Sequence, residues 1–140
     1  MGLRREGREA AVQFLFAHDL HLGAGSISDD EREGFWDIHS ARRGARGFAE
    51  NLVKGVVQRL KEIDQHIVAA TDNFSLERMA SVDRNIIRLA VYEFLACTDV
   101  PRAVVINEAI EIAKKYATAE SASFVNGVLD RISKNLPSAS

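Results

Sequence analysis

The chain is 140 residues long, with 46% hydrophobic and 27% charged residues, a composition typical of one globular domain and not of a disordered segment. The formal net charge of −2 argues against binding of nucleic acid over the whole surface, so any such role requires a local basic patch. No apolar run is long enough to span a bilayer, and the N-terminus lacks the apolar segment of a secretory signal, so we expect a cytoplasmic protein.

The first half of the chain is predicted to contain two long helices with a less regular segment between them. Apolar residues recur with a period near 3.6 over residues 4–21, which predicts the first helix. Residues 23–40 combine a glycine-rich link with an acidic turn and predict at most a short helix. The clearest amphipathic pattern covers residues 42–70 and predicts a long helix with a bend near Gly55.

The second half predicts three shorter helices, over residues 82–97, 103–117 and 120–135. Ser81 is expected to cap the first of them, and Pro137 prevents continuation of the last. Because no long stretch alternates apolar and polar residues, we predict an all-α fold, a compact bundle of about six to seven helices. Short connections favour antiparallel packing, either in one bundle or in two small sub-bundles.

Two residues of the 82–97 helix are predicted to be structural. Glu93 falls inside the apolar stripe, and a buried carboxylate requires a cation or several hydrogen-bond donors. We therefore interpret Glu93 as a tether and not as a catalytic acid. Cys97 is the only cysteine and lies on the same face, so a packed thiol is expected.

Motifs for catalysis, metal binding or phosphate binding are missing from the sequence. The four histidines include one pair spaced i, i+3, but no third ligand accompanies it, and one cysteine cannot form a thiolate cluster. The glycines follow no predicted strand, and no nucleophile signature is present. We expect a binding protein without metal or cofactor, not an enzyme.

Arginines at the N-terminus provide one candidate binding surface. Arg4, Arg5 and Arg8 share one face of the first two predicted helical turns. Positive charge at a helix N-terminus opposes the macrodipole, which hints at an anionic partner, although a solvated helix face would look the same. The same two interpretations apply to a second cluster, formed by Arg42, Arg43 and Arg46.

The last predicted helix carries a second candidate surface. Phe124 lies at the edge of its apolar stripe, beside Gly127 and Arg131. A ring flanked by a glycine and an arginine could stack an RNA base. Alternatively, Gly127 permits close helix packing and Phe124 lies in the core, and position alone does not decide between the two.

Four segments, in their order and spacing, resemble the bacterial NusB family of antitermination factors. They are RREGREAAVQFLF at 4–16, VDRNIIRLAVYEFL at 82–95, DVPRAVVINEAIEIAKKY at 99–116 and SFVNGVLDRI at 123–132. The resemblance covers essentially the whole chain, and the last two segments are the most specific. It implies an all-α fold of two small helical subdomains within a single RNA-binding domain over residues 1–140.

The resemblance also implies a function and a set of contacts. The family consists of non-catalytic adaptors that bind boxA RNA together with NusE, a small-subunit ribosomal protein, in the RNA polymerase antitermination complex on ribosomal RNA operons. NusE is expected against the helices around residues 76–116, and the oligomeric state, monomer or homodimer, stays open. The residues that match the family's RNA-contacting segments are Arg4, Arg5, Arg8, Phe16, Glu120, Ser121 and Phe124.

Two other functions remain open from the sequence. A similar helical module forms the N-terminal part of ribosomal RNA cytosine methyltransferases, and on that interpretation a chain ending at Ser140 would be a fragment without the methyl-donor domain. The chain could also be a self-associating structural module, with Phe35 and Trp36 near the partner.

Overall fold

The computed structural model describes residues 2–19, 28–39, 41–72 and 75–137, apart from the side chain of Arg43. Within these residues no strand occurs, and the number of α-helices agrees with the predicted bundle of six to seven. The α-helices are α1 (Leu3–Ala17), α2 (Asp29–Ile38), α3 (Arg43–Gln58), α4 (Leu60–Ala70), α5 (Ser81–Ala96), α6 (Arg102–Tyr116) and α7 (Ala119–Asn135). A short 3₁₀ helix, Leu76–Arg78, precedes α5.

The helix predicted over residues 42–70 is two helices, and the break lies at Arg59 instead of Gly55. Arg59 leaves the helical conformation, with φ −113° and ψ 18°, and serves as the C-cap of α3 and the N-cap of α4. Gly55 is required for a different reason. A Cβ atom there would lie 2.1 Å from Cζ of Tyr92, so the glycine leaves room for the tyrosine ring that extends from α5 to α3.

The start of α5 also differs from the prediction. Ala80 occupies the N-cap position, and no side chain caps the helix there. Ser81 is the first helical residue, and its hydroxyl lies 3.4 Å from Nδ2 of Asn85. The predicted cap at Ser81 is therefore wrong. The start of α7 does have a side-chain cap, because the Thr118 hydroxyl accepts a hydrogen bond from the backbone N–H of Ser121 at 3.0 Å.

Helix α5 is central to the packing, because it contacts α1, α3, α4, α6 and α7. Helices α1 and α3 pack closely, and α2 joins them through the rings of Phe14 and Phe35, whose centroids are 4.7 Å apart. On the other side α4, α6 and α7 pack around α5. The helices thus form two groups, as the family resemblance implies, but their buried side chains make one continuous cluster. Within the described ranges, no helix has the length and apolar character needed to cross a membrane.

Candidate nucleic-acid interface

The three N-terminal arginines share a helix face but lie in three different environments. Arg4 is exposed, and no carboxylate in the described part of the chain pairs with it. The side chain of Arg5 is 33% exposed and its Nε donates to Oε2 of Glu108 at 2.7 Å. Arg8 is only 3% exposed. Position along α1 therefore decides which guanidinium faces solvent, since α5 and α6 cover the second turn.

Arg8 forms an internal ion pair with Glu93. Its Nη2 donates to Oε1 of Glu93 at 2.8 Å and its Nε donates to Oε2 at 3.0 Å, a two-point contact between α1 and α5. The prediction that Glu93 is a structural tether is confirmed. The expectation that Arg8 contacts RNA needs correction, because a buried guanidinium bonded to carboxylates offers no surface to a ligand in this structure.

The charge state of this pair follows from its surroundings. Burial alone would lower the pKa of the Arg8 guanidinium by disfavouring its charged form. The hydrogen bonds and negative charge of Glu93, with the further charge of Glu108, more than compensate and raise that pKa above its ordinary value. Arg8 and Glu93 are therefore an ionised pair inside the molecule.

Phe16 lies on the exposed side of α1, near its end. Its exposed fraction is 49%, which is high for a phenylalanine, because this residue type is usually buried. One turn later the Asp19 carboxylate accepts hydrogen bonds from Nδ2 of Asn85 at 3.1 Å and Nη1 of Arg88 at 3.0 Å, and it pairs with Arg84. These contacts fix the end of α1, and hence Phe16, against the first two turns of α5.

The Asp19 carboxylate is held in its charged form by this arrangement. Burial favours the neutral acid, but hydrogen bonds from Arg84 and Asn85 and the charges of Arg84 and Arg88 outweigh it, and the pKa of Asp19 is lowered. Arg88 also bonds Asp64 of α4 through Nε at 2.9 Å. The network therefore joins α1, α4 and α5 at one end of the bundle.

The start of α7 reaches the same end of α5. The Ser121 hydroxyl donates to Oδ2 of Asp83 at 3.3 Å, and Glu120 beside it is exposed. Residues 83–85 thus contact the start of α7 on one side and the end of α1 on the other. The start of α7, which carries Glu120 and Ser121, and the end of α1, which carries Phe16, therefore both lie beside the first turn of α5. Their separation in sequence did not indicate this without the family resemblance.

Asp83 is a polar residue at this end of α5 that sequence reasoning missed. It is 7% exposed, and its Oδ1 is buried without a hydrogen-bond partner among the described residues. The only sequence signal is an acidic residue in the first turn of a helix, a position that the helix dipole favours on any surface. Its contact with Ser121, 38 residues away, becomes evident only in the fold.

Phe124 is half-buried and packs against the core from the edge of α7. A Cβ atom at Gly127 would meet nothing within 4 Å, so close packing does not require this glycine, and that part of the core alternative is wrong. Nη1 of Arg131 donates to the Ala70 carbonyl oxygen at 3.0 Å and to Oδ2 of Asp72 at 2.8 Å. Phe124 therefore contributes to the core and also lies beside an open groove.

The second arginine cluster is engaged with neighbouring side chains. Arg42 donates to the Glu6 carboxylate from its backbone N–H at 2.7 Å and from Nε at 2.9 Å. The Arg46 guanidinium lies 5.0 Å from the ring centroid of Trp36. The side chain of Arg43 is outside the described part. The two described arginines tie α3 to α1 and α2.

The remaining candidate chemistry is limited. Within residues 2–19, 28–39, 41–72 and 75–137, no group of three or more His, Cys, Asp or Glu side chains could hold a metal ion. The histidine pair predicted from spacing includes His21, which lies outside those ranges. Cys97 is a free thiol whose pKa is raised by burial, and further by the charges of Glu93 and Asp99, which makes it a poor nucleophile.

The fold and these contacts define an all-helical binding protein, in which exposed Arg4 lies towards the end of the central helix α5 and exposed Phe16 and Glu120 lie towards its start. The family model described as "NusB family" matches residues 5–134, and the chain belongs to the NusB family. The resemblance predicted from the four sequence segments is confirmed.

Curated relatives from this family align with the chain over nearly their whole length. A transcription antitermination protein NusB from Trichlorobacter lovleyi is 51% identical over 132 residues, which is 94% of this chain and 91% of the relative. Another from Geobacter sulfurreducens is 43% identical over 142 residues, 98% of each chain. These names describe a transcription factor, which confirms the expectation of a non-enzymatic protein and favours it over a methyltransferase module.

Solved structures agree with the fold. NusB from T. maritima is 39% identical, with a TM-score of 0.79 over 94% of this chain and 90% of that one. A second match is in a crystal structure of the antitermination factors NusB and NusE in complex with double-stranded RNA. It is 28% identical, with a TM-score of 0.83 over 97% of this chain and 99% of that chain.

Proposed function

We propose that this chain is a non-catalytic antitermination adaptor that binds boxA RNA together with NusE. Residues 1–140 act as one RNA-binding domain, in the cytoplasm, within the RNA polymerase complex that transcribes ribosomal RNA operons. The observation that carries the proposal is the match over 97% of the chain to NusB in the complex of NusB, NusE and RNA. The antitermination names of the curated relatives support it.

The exposure and pairing of the individual side chains support a division of roles among the RNA-contacting residues. Arg4 is placed to contact phosphate, since it is exposed and lacks a carboxylate partner among the described residues. Phe16 offers a ring on which an unpaired base can stack. Glu120 and Ser121 supply polar groups for base edges, and Arg5 adds a contact where its guanidinium is partly exposed.

Arg8 has a different role in this proposal. It positions α1 against α5 through Glu93 and so holds Arg4 and Phe16 on a rigid helix. Phe124 takes part through the side of its ring that borders the open groove. NusE is proposed to pack against the helices within residues 76–116, where Val104 of α6 leaves 45% of its surface exposed.

Fluorescence anisotropy with labelled boxA RNA tests the proposal. The purified chain is titrated with boxA RNA and with a scrambled sequence of the same composition, each with and without NusE, at several salt concentrations. We expect a preference for boxA that increases with NusE and a shallow salt dependence corresponding to a few phosphate contacts. Equal affinity for both RNAs in the presence of NusE would overturn the proposal.

A further inference from the structure

A groove lies between α2 and α3, with α1 also contributing to its walls. Its volume is about 370 Å³, within the range of roughly 300–1,000 Å³ that is typical of ligand pockets. All three helices supply apolar side chains to it, namely Ala10, Phe14, Trp36, Ala49, Val53 and Val57. We call this site the α2–α3 groove. It presents aromatic and aliphatic surface to any group that enters it.

The α2–α3 groove lies on the other side of α1 from Phe16. Phe14 lines the groove, whereas Phe16 belongs to the proposed RNA interface. Two residues correspond to a rotation of about 200° around an α-helix, so the two rings extend to opposite sides of α1. The groove is therefore a separate surface from the one that carries Phe16.

Trp36 is held in the groove wall by its neighbours and has an unused donor. The Arg46 guanidinium lies 5.0 Å from the centroid of the Trp36 ring, and the Phe35 ring meets it edge-on with centroids 5.0 Å apart. Nε1 of Trp36 is buried, and no acceptor among the described residues bonds to it. Because buried N–H groups in folded proteins are nearly always hydrogen-bonded, this donor favours an acceptor that a bound molecule supplies.

Lys54 gives the rim of the groove an uncompensated positive charge. Arg32, which also lines the groove, already bonds Asp29, with Nη2 2.6 Å from Oδ1. Oε1 of Glu50, the acidic residue of the lining, lies 3.6 Å from Nε of Arg46. Lys54 is exposed and pairs with no carboxylate in the part of the chain that the structure describes. The rim therefore attracts an anion more strongly than a cation.

We propose that the α2–α3 groove binds a small organic acid with a flat apolar body, of the aryl carboxylate class. The apolar lining covers the body of the ligand, and Lys54 pairs with its carboxylate. The indole N–H of Trp36 donates to an acceptor oxygen of the ligand. This inference goes beyond the proposed RNA-binding function and does not depend on it.

The single tryptophan makes the groove directly observable. Trp36 is the only tryptophan in the chain, so one indole peak in a nitrogen–proton correlation NMR spectrum reports on this site. Titration of the full chain with 2-naphthoate should shift the peak in a saturable manner, with a Kd of about 0.01–1 mM for a ligand of this size. An unshifted indole peak at about 5 mM ligand, above that range, would overturn the inference.

The neutral amide 2-naphthamide and the variant Lys54→Gln test the role of the charge. The amide should bind wild type about two- to fivefold more weakly than the acid, as expected for loss of an exposed ion pair. Lys54→Gln should weaken binding of the acid by the same factor and leave binding of the amide unchanged. Equal affinity of wild type for both ligands would overturn the inference, and so would a preference for the acid that persists in Lys54→Gln.

Lys61→Gln is the matched control for the charge. Lys61 is an exposed lysine of α4 that does not line the groove and pairs with no described carboxylate. Its replacement changes the net charge by the same amount as Lys54→Gln and should leave the preference for the acid intact. Loss of the preference in both variants would overturn the specific role of Lys54 in favour of a general charge effect.

RNA titrations distinguish this site from the proposed interface. Saturating 2-naphthoate should leave the affinity for boxA RNA in the presence of NusE unchanged, because the ligand binds on the other side of α1 from Phe16. Competition between 2-naphthoate and boxA RNA would overturn the separate site and assign the groove to the RNA interface. Failure of the wild-type protein to prefer boxA over scrambled RNA would overturn the proposed function, whereas the saturable indole shift would still support this site.

Discussion

The Arg8 guanidinium and the Glu93 carboxylate form a two-point ion pair inside the molecule, although 85 residues separate them in the chain. Both side chains are almost completely buried, at 4% and 3% exposure. The pair joins the helix that carries the exposed Arg4 and Phe16 to the central helix of the bundle. We therefore expect removal of the ion pair to lower the stability of the fold, and to weaken RNA binding only as a consequence of that loss.

Arg8→Ala should lower the free energy of unfolding by about 3–5 kcal/mol, because Glu93 is left buried without its partner. Urea denaturation followed by circular dichroism measures the change. Arg8→Met combined with Glu93→Leu should recover most of the lost stability, since both charges are then removed together. Arg4→Ala, at an exposed position, should change stability by no more than about 0.5 kcal/mol. Equal stability of Arg8→Ala and wild type would contradict the structural role of the pair.

Glu108→Gln should strengthen RNA binding, because Glu108 competes with RNA phosphate for Arg5. The ion pair is partly exposed, so the expected gain is at most about fivefold, equivalent to about 1 kcal/mol. The slope of log affinity against log salt should become steeper by about one phosphate contact. Glu111→Gln is the control, since it removes the same charge from α6 at a residue that pairs with Lys114. A similar gain from both variants would indicate a general charge effect and not release of Arg5.

Phe16→Ala should weaken boxA binding about 5- to 100-fold, the contribution of one stacked base, with little loss of stability. Anisotropy and thermal unfolding measured on the same sample separate the two effects. Phe14→Ala provides the contrast, because Phe14 is buried in the core and its loss should cost about 3–5 kcal/mol. Unchanged RNA affinity of Phe16→Ala would remove Phe16 from the interface.

Asp19→Asn should make the protein less stable at neutral pH and reduce its sensitivity to acid. The pKa of Asp19 is lowered in the folded state, so the ionised carboxylate adds stability above its ordinary pKa of 3.8. That contribution disappears as the pH falls through the lower folded value. The difference between wild type and Asp19→Asn should therefore be constant near pH 7 and decrease only below about pH 4. Urea denaturation at a series of pH values measures it, and a constant difference down to pH 2 would contradict the role of the carboxylate charge.

Cys97 should react slowly with iodoacetamide at pH 8. Burial, with the charges of Glu93 and Asp99, raises the pKa of the thiol and lowers the fraction of reactive thiolate. The rate should increase when the protein is unfolded in urea, where both effects vanish. Mass spectrometry of the alkylated chain follows the reaction, and equal rates in the two states would show that the folded protein does not shield this thiol.

Helical periodicity identified α5, α6 and α7 to within one or two residues, because each has a regular apolar stripe ended by a cap or a proline. It failed at Arg59, where apolar spacing continues through the break between α3 and α4. It also placed the bend near Gly55, where the absence of a side chain leaves room for the ring of Tyr92. A glycine that permits close approach and a glycine that permits a bend have the same appearance in a sequence.

The candidate interface could be predicted only in part, since spacing along one helix does not reveal what covers it. Arg4 and Arg8 are one turn apart and appeared equivalent, yet α5 and α6 cover only the second of them. Burial of Glu93 was predicted from its place in the stripe, but its partner came from the opposite end of the chain. Asp83 was missed because its hydrogen-bond partner, Ser121, lies on another helix.

The contacts of α1 have a consequence for the newly made protein. During synthesis α1 leaves the ribosome before α5 and α6, because Glu93 and Glu108 follow their arginine partners by about a hundred residues. Until then the nascent chain carries unpaired arginines and an unsupported helix, and the α7 side of the surface does not yet exist. Such distant contacts form late in folding. RNA recognition should consequently appear abruptly, only when translation of the last helix is complete, and partial chains released before that point should not compete for the transcript.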